Sequence, residues 1–450
     1  MLIRVFSSNI LSFDSEIEFS LIPGKGSVKS EHIIRSESRD DIPVLKTGII
    51  YGANASGKSN LIKVVSLIQS MATKSLASTN KEIPVEFFKL RDRVGGYSKI
   101  EVEIKVGDNN YAYGVKFNKK IISEEWLYQI NKRTEKKIFE RKTSKKATSV
   151  EFDNVKFKDK EDEQFAQFVG RGTSENKTFL RECIDRNLNF ITQVNEVFDW
   201  FDDKLKVFFP RTRFRGMEFH LESNKDLSKS MSKFLKYFNT GVSDLLKTEI
   251  DLEKDIKDIP KEAINDIIND LEEGKRALIG TSDNRMSFAF EKDKKGKVKA
   301  YKLVTTHLNK SGKDVVFEMD EESDGTRRLI DFIPMLVDIA KNDSVYLIDE
   351  IDRSMHPILT KGILEYFLNQ LTKAKSQLIV TTHESNLLDL ELFRKDEIWF
   401  VEKNKLGSSN FYSLLEFKPR GDKDIKKGYL NGRFGAIPFL SNPKDLNWNG

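Results

Sequence analysis

The stretch "GIIYGANASGKSNLI", residues 48–62, decides the fold. An apolar run ends in a glycine, the spacing G-x-x-x-x-G-K-S follows over Gly52–Ser59, and an apolar pattern at helical spacing comes next. Strand, glycine loop and helix in that order make a phosphate-binding loop. The glycines let the backbone curl so that successive N–H groups face one point, and the helix N-terminus adds a favourable dipole. Lys58 then reaches the β- and γ-phosphates of a nucleotide, and the Ser59 hydroxyl binds Mg²⁺. Gly52, Asn54, Gly57 and Asn60 complete the loop and its exit. A glycine turn before an ordinary helix is the competing reading.

Two further stretches have the same design. In "SVYLIDE" (344–350) four apolar residues form a buried parallel strand, and Asp349 and Glu350 follow at its carboxyl end, where open α/β sheets bind ligands. Asp349 is placed to hold Mg²⁺ through water, and Glu350, one residue on, to act as general base for an attacking water. Alone, two acids after a strand read equally well as a solvated strand end. "LIVTTHE" (378–384) puts His383 at the tip of another apolar strand, where a histidine can hydrogen-bond a γ-phosphate. In isolation that histidine would be a solvated or capping residue; its place at the end of a core strand reverses the preference.

The whole chain sets wide bounds. Its 450 residues suffice for two or three lobes, and 38% hydrophobic content with 32 Phe supports packed cores. Lys and Arg number 75 against 70 Asp and Glu, so the net charge of +5 permits nucleic-acid contact without implying it. The single cysteine, Cys183, excludes a disulfide framework and a multi-cysteine zinc site, which points to a reducing cytoplasm. The first residues lack the pattern of a signal peptide, and no apolar run approaches the ~20 residues of a membrane helix, so no membrane partner is expected.

Along the chain, residues 1–22 read as two strands and "KIEVEIKVGDNNYAYGVKF" (99–117) as a hairpin about Gly107–Asn110. Residues 131–163 read as charged and irregular, and 164–280 as mainly helical, including "NEVFDWFDDKLKVFF". Strands return at 286–319 about the turn "DKKGK". Helices at 326–341 and 357–373 then alternate with strands at 344–348, 376–382 and 396–402. The expected division is 1–130 and 321–450 as two parts of one α/β head, with 131–320 as a charged loop followed by a helical and β insertion.

"EESDGTRRL" (321–329) looks like a second phosphate-binding element. Ser323-Asp324-Gly325-Thr326 caps a helix whose N-terminus attracts anions. Residues 322–329 resemble the serine–glycine signature of ABC and SMC-type ATPase heads, which contacts the ATP held by a second subunit. The resemblance implies a P-loop NTPase fold of ABC/SMC head type that binds ATP and Mg²⁺. It also implies composite sites in a homodimer or higher oligomer, with Ser323 and Gly325 reaching the partner's ATP. "IDRSMHP" (351–357) looks like the loop that crosses such an interface, with Asp352 and His356 facing the opposite site. "SSNILSF" (7–13) looks like the strand-turn that packs near the adenine. A simple helix cap remains the alternative for Ser323.

"YAYGVKF", "ISEEWLY" and "GYLNGRFGAIPFL" (428–440) look like the bacterial RloA/AbiLi group of AAA-15/AAA-21 ATPases, relatives of the OLD and PARIS-type defence ATPases. The resemblance covers residues 1–130 and 320–440. It implies an anti-phage, abortive-infection ATPase that answers a trigger such as a phage protein and controls a separate toxic effector, for example a nuclease encoded nearby. There are two departures. No Q-loop glutamine can be placed, Gln69 being on the loop's own helix. The 67 residues after His383 are also too few for the Toprim nuclease of the OLD family plus a last core strand. An SMC/RecF-like DNA-repair ATPase that binds DNA directly is the alternative function; an ABC transporter subunit fits poorly.

Two basic stretches bear on that alternative. "KRTEKKIFERKTSKK" (132–146) carries eight basic and two acidic residues and reads best as a mobile solvated loop. "PRTRFRG" (210–216) places three arginines at alternate positions, either for nucleic acid or a partner protein, or on a plain surface strand. A two-metal nuclease site from Asp349, Glu350, Asp352 and Glu384 is weaker than an ATPase site beside this loop.

Overall fold

The computed structural model describes all residues except 27, 39, 75–81, 145–146, 215, 224, 252–258, 282–285, 419–423 and 438–450. The last part of the "GYLNGRFGAIPFL" stretch, one arginine of "PRTRFRG" and two lysines of the 132–146 stretch therefore lie outside the described residues. The chain divides into two units, one of Met1–Pro210, Asn342–Ile351 and Leu368–Gly450, the other of Arg211–Lys341 and Asp352–Phe367.

The first unit begins with β1 (Leu2–Ser8), β2 (Ile17–Ser20), the short pair β3 (Ile33–Ile34) and β4 (Val44–Leu45), and β5 (Thr47–Tyr51), which leads into α1 (Lys58–Thr73). A meander follows: β6 (Ser98–Val106), β7 (Asn109–Phe117), β8 (Ile122–Ile130), β9 (Glu135–Thr143) and β10 (Thr148–Phe152). Then come α2 (Lys160–Gly172), α3 (Phe179–Asp185), α4 (Thr192–Asp199) and β11 (Leu205–Phe208). The second unit contributes α5 (Met217–Ser223), α6 (Lys225–Tyr237), β12 (Val242–Ile250), α7 (Lys261–Asp270), β13 (Arg276–Gly280), β14 (Ser287–Lys292), β15 (Val298–Leu308), β16 (Asp314–Glu318) and α8 (Asp324–Lys341). The rest is β17 (Val345–Ile348), α9 (Pro357–Glu365), β18 (Gln377–Thr381), β19 (Ile398–Lys403), β20 (Ser409–Ser413) and α10 (Ile425–Leu430).

Two sheets build the first unit. The antiparallel one runs β10-β9-β8-β7-β6-β1-β2, and the other runs β11-β17-β18-β5-β19-β20, parallel except for β20. Every residue of β5, β17 and β18 is buried, as expected of parallel strands covered on both faces, so hydrophobic alternation is absent there. Strands from both sheets and the apolar face of α1 (Leu61, Ile62, Val65, Ile68) share one hydrophobic core. Gln377, fully buried at the start of β18, ties the sheets together. Its amide accepts from Leu2 N at 2.5 Å and donates to Leu2 O at 2.9 Å and Leu45 O at 2.8 Å. One side chain thus satisfies three backbone groups that have no water to turn to.

Several sequence expectations change. Within the stretch 132–146, read as a mobile loop, Glu135–Thr143 form β9, which pairs with β8 over 135–142 and with β10 over 139–143. Its Arg141 is buried, 3.3 Å from Glu125, and donates to the carbonyls of Lys177 and Ser174; Glu125 also accepts from the N–H groups of Phe179 and Leu180 at the start of α3. The charge pattern of this stretch therefore hides an interior network built on the terminal guanidinium nitrogens of Arg141. The span read as helical over 164–280 also holds strands β11, β12 and β13. In "NEVFDWFDDKLKVFF" the helix ends at Asp199 and a single π turn (Trp200–Lys204) leads into β11, the edge of the parallel sheet beside β17. The helix expected at 357–373 stops at Glu365 before another π turn, Tyr366–Gln370.

The second unit has a sheet of order β12-β15-β14-β13, with β16 also pairing β15. α7 packs on it through Ile264 in a cluster with Phe288, Phe290 and Ala300. α8 buries an apolar face together with Arg327, Arg328 and Asp331. The "PRTRFRG" stretch is not a strand of alternating arginines. Arg213 Nη1 donates to Asp331 Oδ2 at 2.7 Å, Phe214 N donates to Asp331 Oδ1 at 3.0 Å, and Thr212 O accepts from Arg328 at 3.0 Å, which pins the segment to α8. Burial pushes the Asp331 carboxyl above its ordinary range against the opposing pull of Arg213.

Gln377→Leu should fold less stably by about 2–4 kcal/mol, because Leu2 N–H and two carbonyls lose their partners. Urea denaturation of the variant against the parent measures this, and an unchanged midpoint would show that the amide is no clasp.

Candidate nucleotide site

Strand register assembles the site. Ile50 pairs with Thr381, and Val380 pairs with Ile348, so the segments that follow β5, β17 and β18 emerge side by side at the carboxyl edge of the parallel sheet. The loop after β5 turns through Ala55 (φ 60°) and Gly57 (φ 114°) into α1. A Cβ on Gly57 would stand 2.3 Å from Ser409 Oγ, so both the backbone angle and the space require glycine.

Lys58 is buried and folds back over the loop: its Nζ donates to Gly52 O at 2.7 Å and Ala53 O at 3.0 Å and lies 3.3 Å from His383 Nδ1. Ser59 Oγ donates to Asp349 Oδ1 at 2.9 Å, and Thr381 Oγ1 donates to the same oxygen at 2.7 Å. Asp349 is 3% exposed, so these hydroxyls replace the water that its carboxylate gave up. Glu350 takes the left-handed conformation (φ 51°), and its N–H donates to Thr381 Oγ1 at 2.8 Å. A non-glycine residue held at such an angle stores about 1–3 kcal/mol of strain, compensated by its surroundings. The turn brings a Glu350 carboxylate oxygen to 3.9 Å from His383 Nε2, with both side chains about one-third exposed.

The five residues Lys58, Ser59, Asp349, Glu350 and His383 are therefore gathered in one place, as the sequence reading asked. Asn60 Nδ2 donates to Ser12 Oγ at 2.7 Å, and Ser409 Oγ donates to Ser56 O at 2.5 Å, which braces the loop from behind. Asn54 is exposed in the loop. Beside the start of α1 is an open cavity of about 300 Å³, lined in part by Leu11, Ser12, Lys63, Glu86, Phe87 and Lys89. Gln69 donates to Phe201 O and Leu205 O at 2.7 and 2.8 Å, an internal tie between α1 and the approach to β11.

The donor set suits Mg²⁺. Ser59 and Asp349 offer two hard oxygens 2.9 Å apart, and Mg²⁺ takes one or two protein oxygens while keeping waters and substrate phosphates. Among the described residues no group of three or more His, Cys, Asp or Glu converges as a denser cation site.

The remaining candidates belong to the second unit. Ser323 Oγ accepts from Thr326 N at 3.1 Å and caps α8. A Cβ on Gly325 would come 2.8 Å from Ser354 O, so the glycine admits the backbone of the segment that contains Asp352. Asp352 O accepts from Met355 N at 3.1 Å, and His356 Nδ1 accepts from Ile358 N, capping α9. Sequence reasoning named neither Thr381, Ser12 nor Ser409; Ser12 fell within the 7–13 stretch placed near the base, and the signal for Thr381 was the Thr381-Thr382 hydroxyl pair ahead of His383.

The family model described as "AAA domain, putative AbiEii toxin, Type IV TA system" matches residues 49–389, about three quarters of the chain, from the strand before the glycine loop to just past His383. The chain belongs to the AAA-21 family. The strand, glycine loop and helix and the parallel sheet described above are the P-loop core that such an AAA domain carries. A search of the curated proteins found no match. Among solved structures, an SMC head bound to the C-terminal winged-helix domain of ScpA is similar at 13% identity and a TM-score of 0.45, over 93% of this chain and 99% of that one. The SMC head domain from Thermotoga maritima is similar at 10% identity and a TM-score of 0.38, over 92% and 98%. An SMC head with an extended coiled coil, bound to a ScpA domain derived from Pyrococcus furiosus, is similar at 11% and 0.40, over 93% and 97%.

In this AAA-21 ATPase, Thr381→Val should keep its fold yet lower ATP turnover about tenfold or more, since Asp349 loses a donor and the Glu350 turn loses its anchor. Steady-state phosphate release, read beside the melting temperature, checks both halves of that expectation.

Proposed function

We propose that the protein is a switch ATPase: it binds ATP with Mg²⁺, closes a composite dimer of two identical heads, and reopens on hydrolysis. The observation that carries this reading is the hydrogen-bonded set Ser59–Asp349–Thr381, with Lys58, Glu350 and His383 around it. Lys58 exchanges its two carbonyl partners for the β- and γ-phosphates. Ser59 and Asp349 hold the metal, which neutralises phosphate charge. Glu350 accepts a proton from the attacking water, and His383 contacts the γ-phosphate. Ser323 and Gly325, at the capped start of α8, meet the ATP of the partner copy, with Asp352 beside the same interface.

The energetics are sufficient. Moving a closed state from 1:99 to 99:1 takes about 10⁴-fold differential affinity, which two ATPs supply if each prefers the closed form about 100-fold. Such a site suits slow, regulated turnover better than metabolic flux. The biological role we assign is the sensor and regulator of a cytoplasmic anti-phage, abortive-infection system that controls a separate toxic effector such as a nuclease, with a phage protein as one class of trigger. It rests on the resemblance to the RloA/AbiLi group and on the family's own description as a putative toxin of a type IV toxin–antitoxin system. Among the described residues no helix is long and apolar enough to cross a membrane. Of the arginines on which the DNA-repair alternative leans, Arg213 is paired with Asp331.

The test is native mass of Glu350→Gln with and without ATP and Mg²⁺. The variant should bind ATP, turn over at least about 100-fold more slowly, and double in mass with nucleotide. Ser323→Arg on that background should abolish the doubling, and Lys58→Ala should abolish nucleotide binding. An ATP-independent mass would refute the composite dimer, and full turnover by Glu350→Gln would refute the assignment of the base.

A further inference from the structure

The second unit holds a cavity of about 180 Å³ that the nucleotide chemistry does not use. It lies between the start of α8, the segment just before α5, and strands β13 to β15; all its described lining residues fall within 211–341. Three cationic side chains stand on its wall, Arg213, Lys302 and Arg327, against a single carboxylate among the described lining residues, Asp331. The rest is largely apolar and adaptable, with Met217, Met286 and Met319 beside Leu278, Leu303 and Ile330.

Each cation has one acid partner and spare donors. Arg213 meets Asp331 at 2.7 Å, Lys302 meets Glu318 at 2.6 Å, and Arg327 meets Asp324. Arg327 is only 5% exposed, and its Nε–H has no protein acceptor. A buried guanidinium donor without an acceptor is costly, and an anion is its strongest partner. Positive charge at one side of an apolar, methionine-rich cavity selects an anion with an apolar body. A cavity of this size holds one aromatic ring or a short branched chain.

We infer that this cavity is a second ligand site, for a small apolar carboxylate whose anionic end meets Arg327 with Lys302 and Arg213. The site goes beyond the ATPase reading and does not depend on it. Its place gives it a role: Arg327 sits two residues after Gly325 in the first turn of α8, so a ligand that engages its guanidinium bears directly on the segment holding Ser323 and Gly325. ATP occupancy and the level of a carboxylate metabolite would then meet on one helix.

The experiment is calorimetric titration of the full chain, without nucleotide, by benzoate and by benzamide, its uncharged isostere. Benzoate should bind once per chain in the millimolar range or tighter, and benzamide at least tenfold more weakly. Arg327→Met should lose benzoate. Leu278→Trp, which fills the cavity from its exposed rim, should lose it too and decides the matter if Arg327→Met does not fold. The inference fails if benzoate produces no saturable heat, if benzamide binds equally well, or if a folded Leu278→Trp binds benzoate like the parent.

Discussion

The Asp349 carboxylate and the two hydroxyls that face it hold the nucleotide site together. Asp349 follows β17, Ser59 lies in the first turn of α1, and Thr381 ends β18, so one oxygen joins three elements far apart in the chain. A buried carboxylate with fewer donors would be costly enough to shift its protonation or open the sheet. With both hydroxyls in place it instead fixes the spacing of the strand ends. The Glu350 turn depends on the same threonine, since Thr381 Oγ1 donates to Asp349 and accepts from Glu350 N. Position and strain at the carboxyl edge of the parallel sheet thus have a common origin in one side chain.

How much of this was legible beforehand follows from how local each feature is. The glycine loop, the "YLIDE" strand and the "TTHE" strand could be read because each is a short, contiguous pattern whose chemistry fixes its residue types. β9 could not. Its "EKKIFERKT" run is mostly charged, and nothing local shows that Arg141 will be interior, because its partners lie at Glu125, Ser174 and Lys177. β11 was hidden for another reason: four residues, "LKVF", carry too little pattern to separate strand from helix after an amphipathic helix. Only β17, some 140 residues later, makes it a strand. The supporting hydroxyls of Ser12 and Ser409 were equally out of reach, since Ser12 meets Asn60 48 residues on and Ser409 meets Ser56 across 353 residues.

The second unit shows a related rule. α8 looks like a plain amphipathic helix behind a capping serine, yet its buried side contains Arg327, Arg328 and Asp331. Fixed charges in an interior demand defined partners: the 212–214 segment supplies those of Arg328 and Asp331 through Thr212 O, Arg213 and Phe214 N, and Asp324 meets Arg327. An apolar helix face could settle in several registers, whereas an ion pair with backbone donors defines one. Arg213, one of the arginines open to a nucleic-acid reading from sequence, is thus better understood as part of the device that locates α8.

The single cysteine of the chain carries a practical consequence. Cys183 lies in α3 with 1% exposure, and burial raises its thiol well above the ordinary range, so its reactive thiolate is scarce at neutral pH. The parent chain is in effect silent towards maleimides and iodoacetamides. A cysteine introduced on the surface of either unit would be the dominant reactive thiol, so a fluorophore could be placed there without first removing the native one.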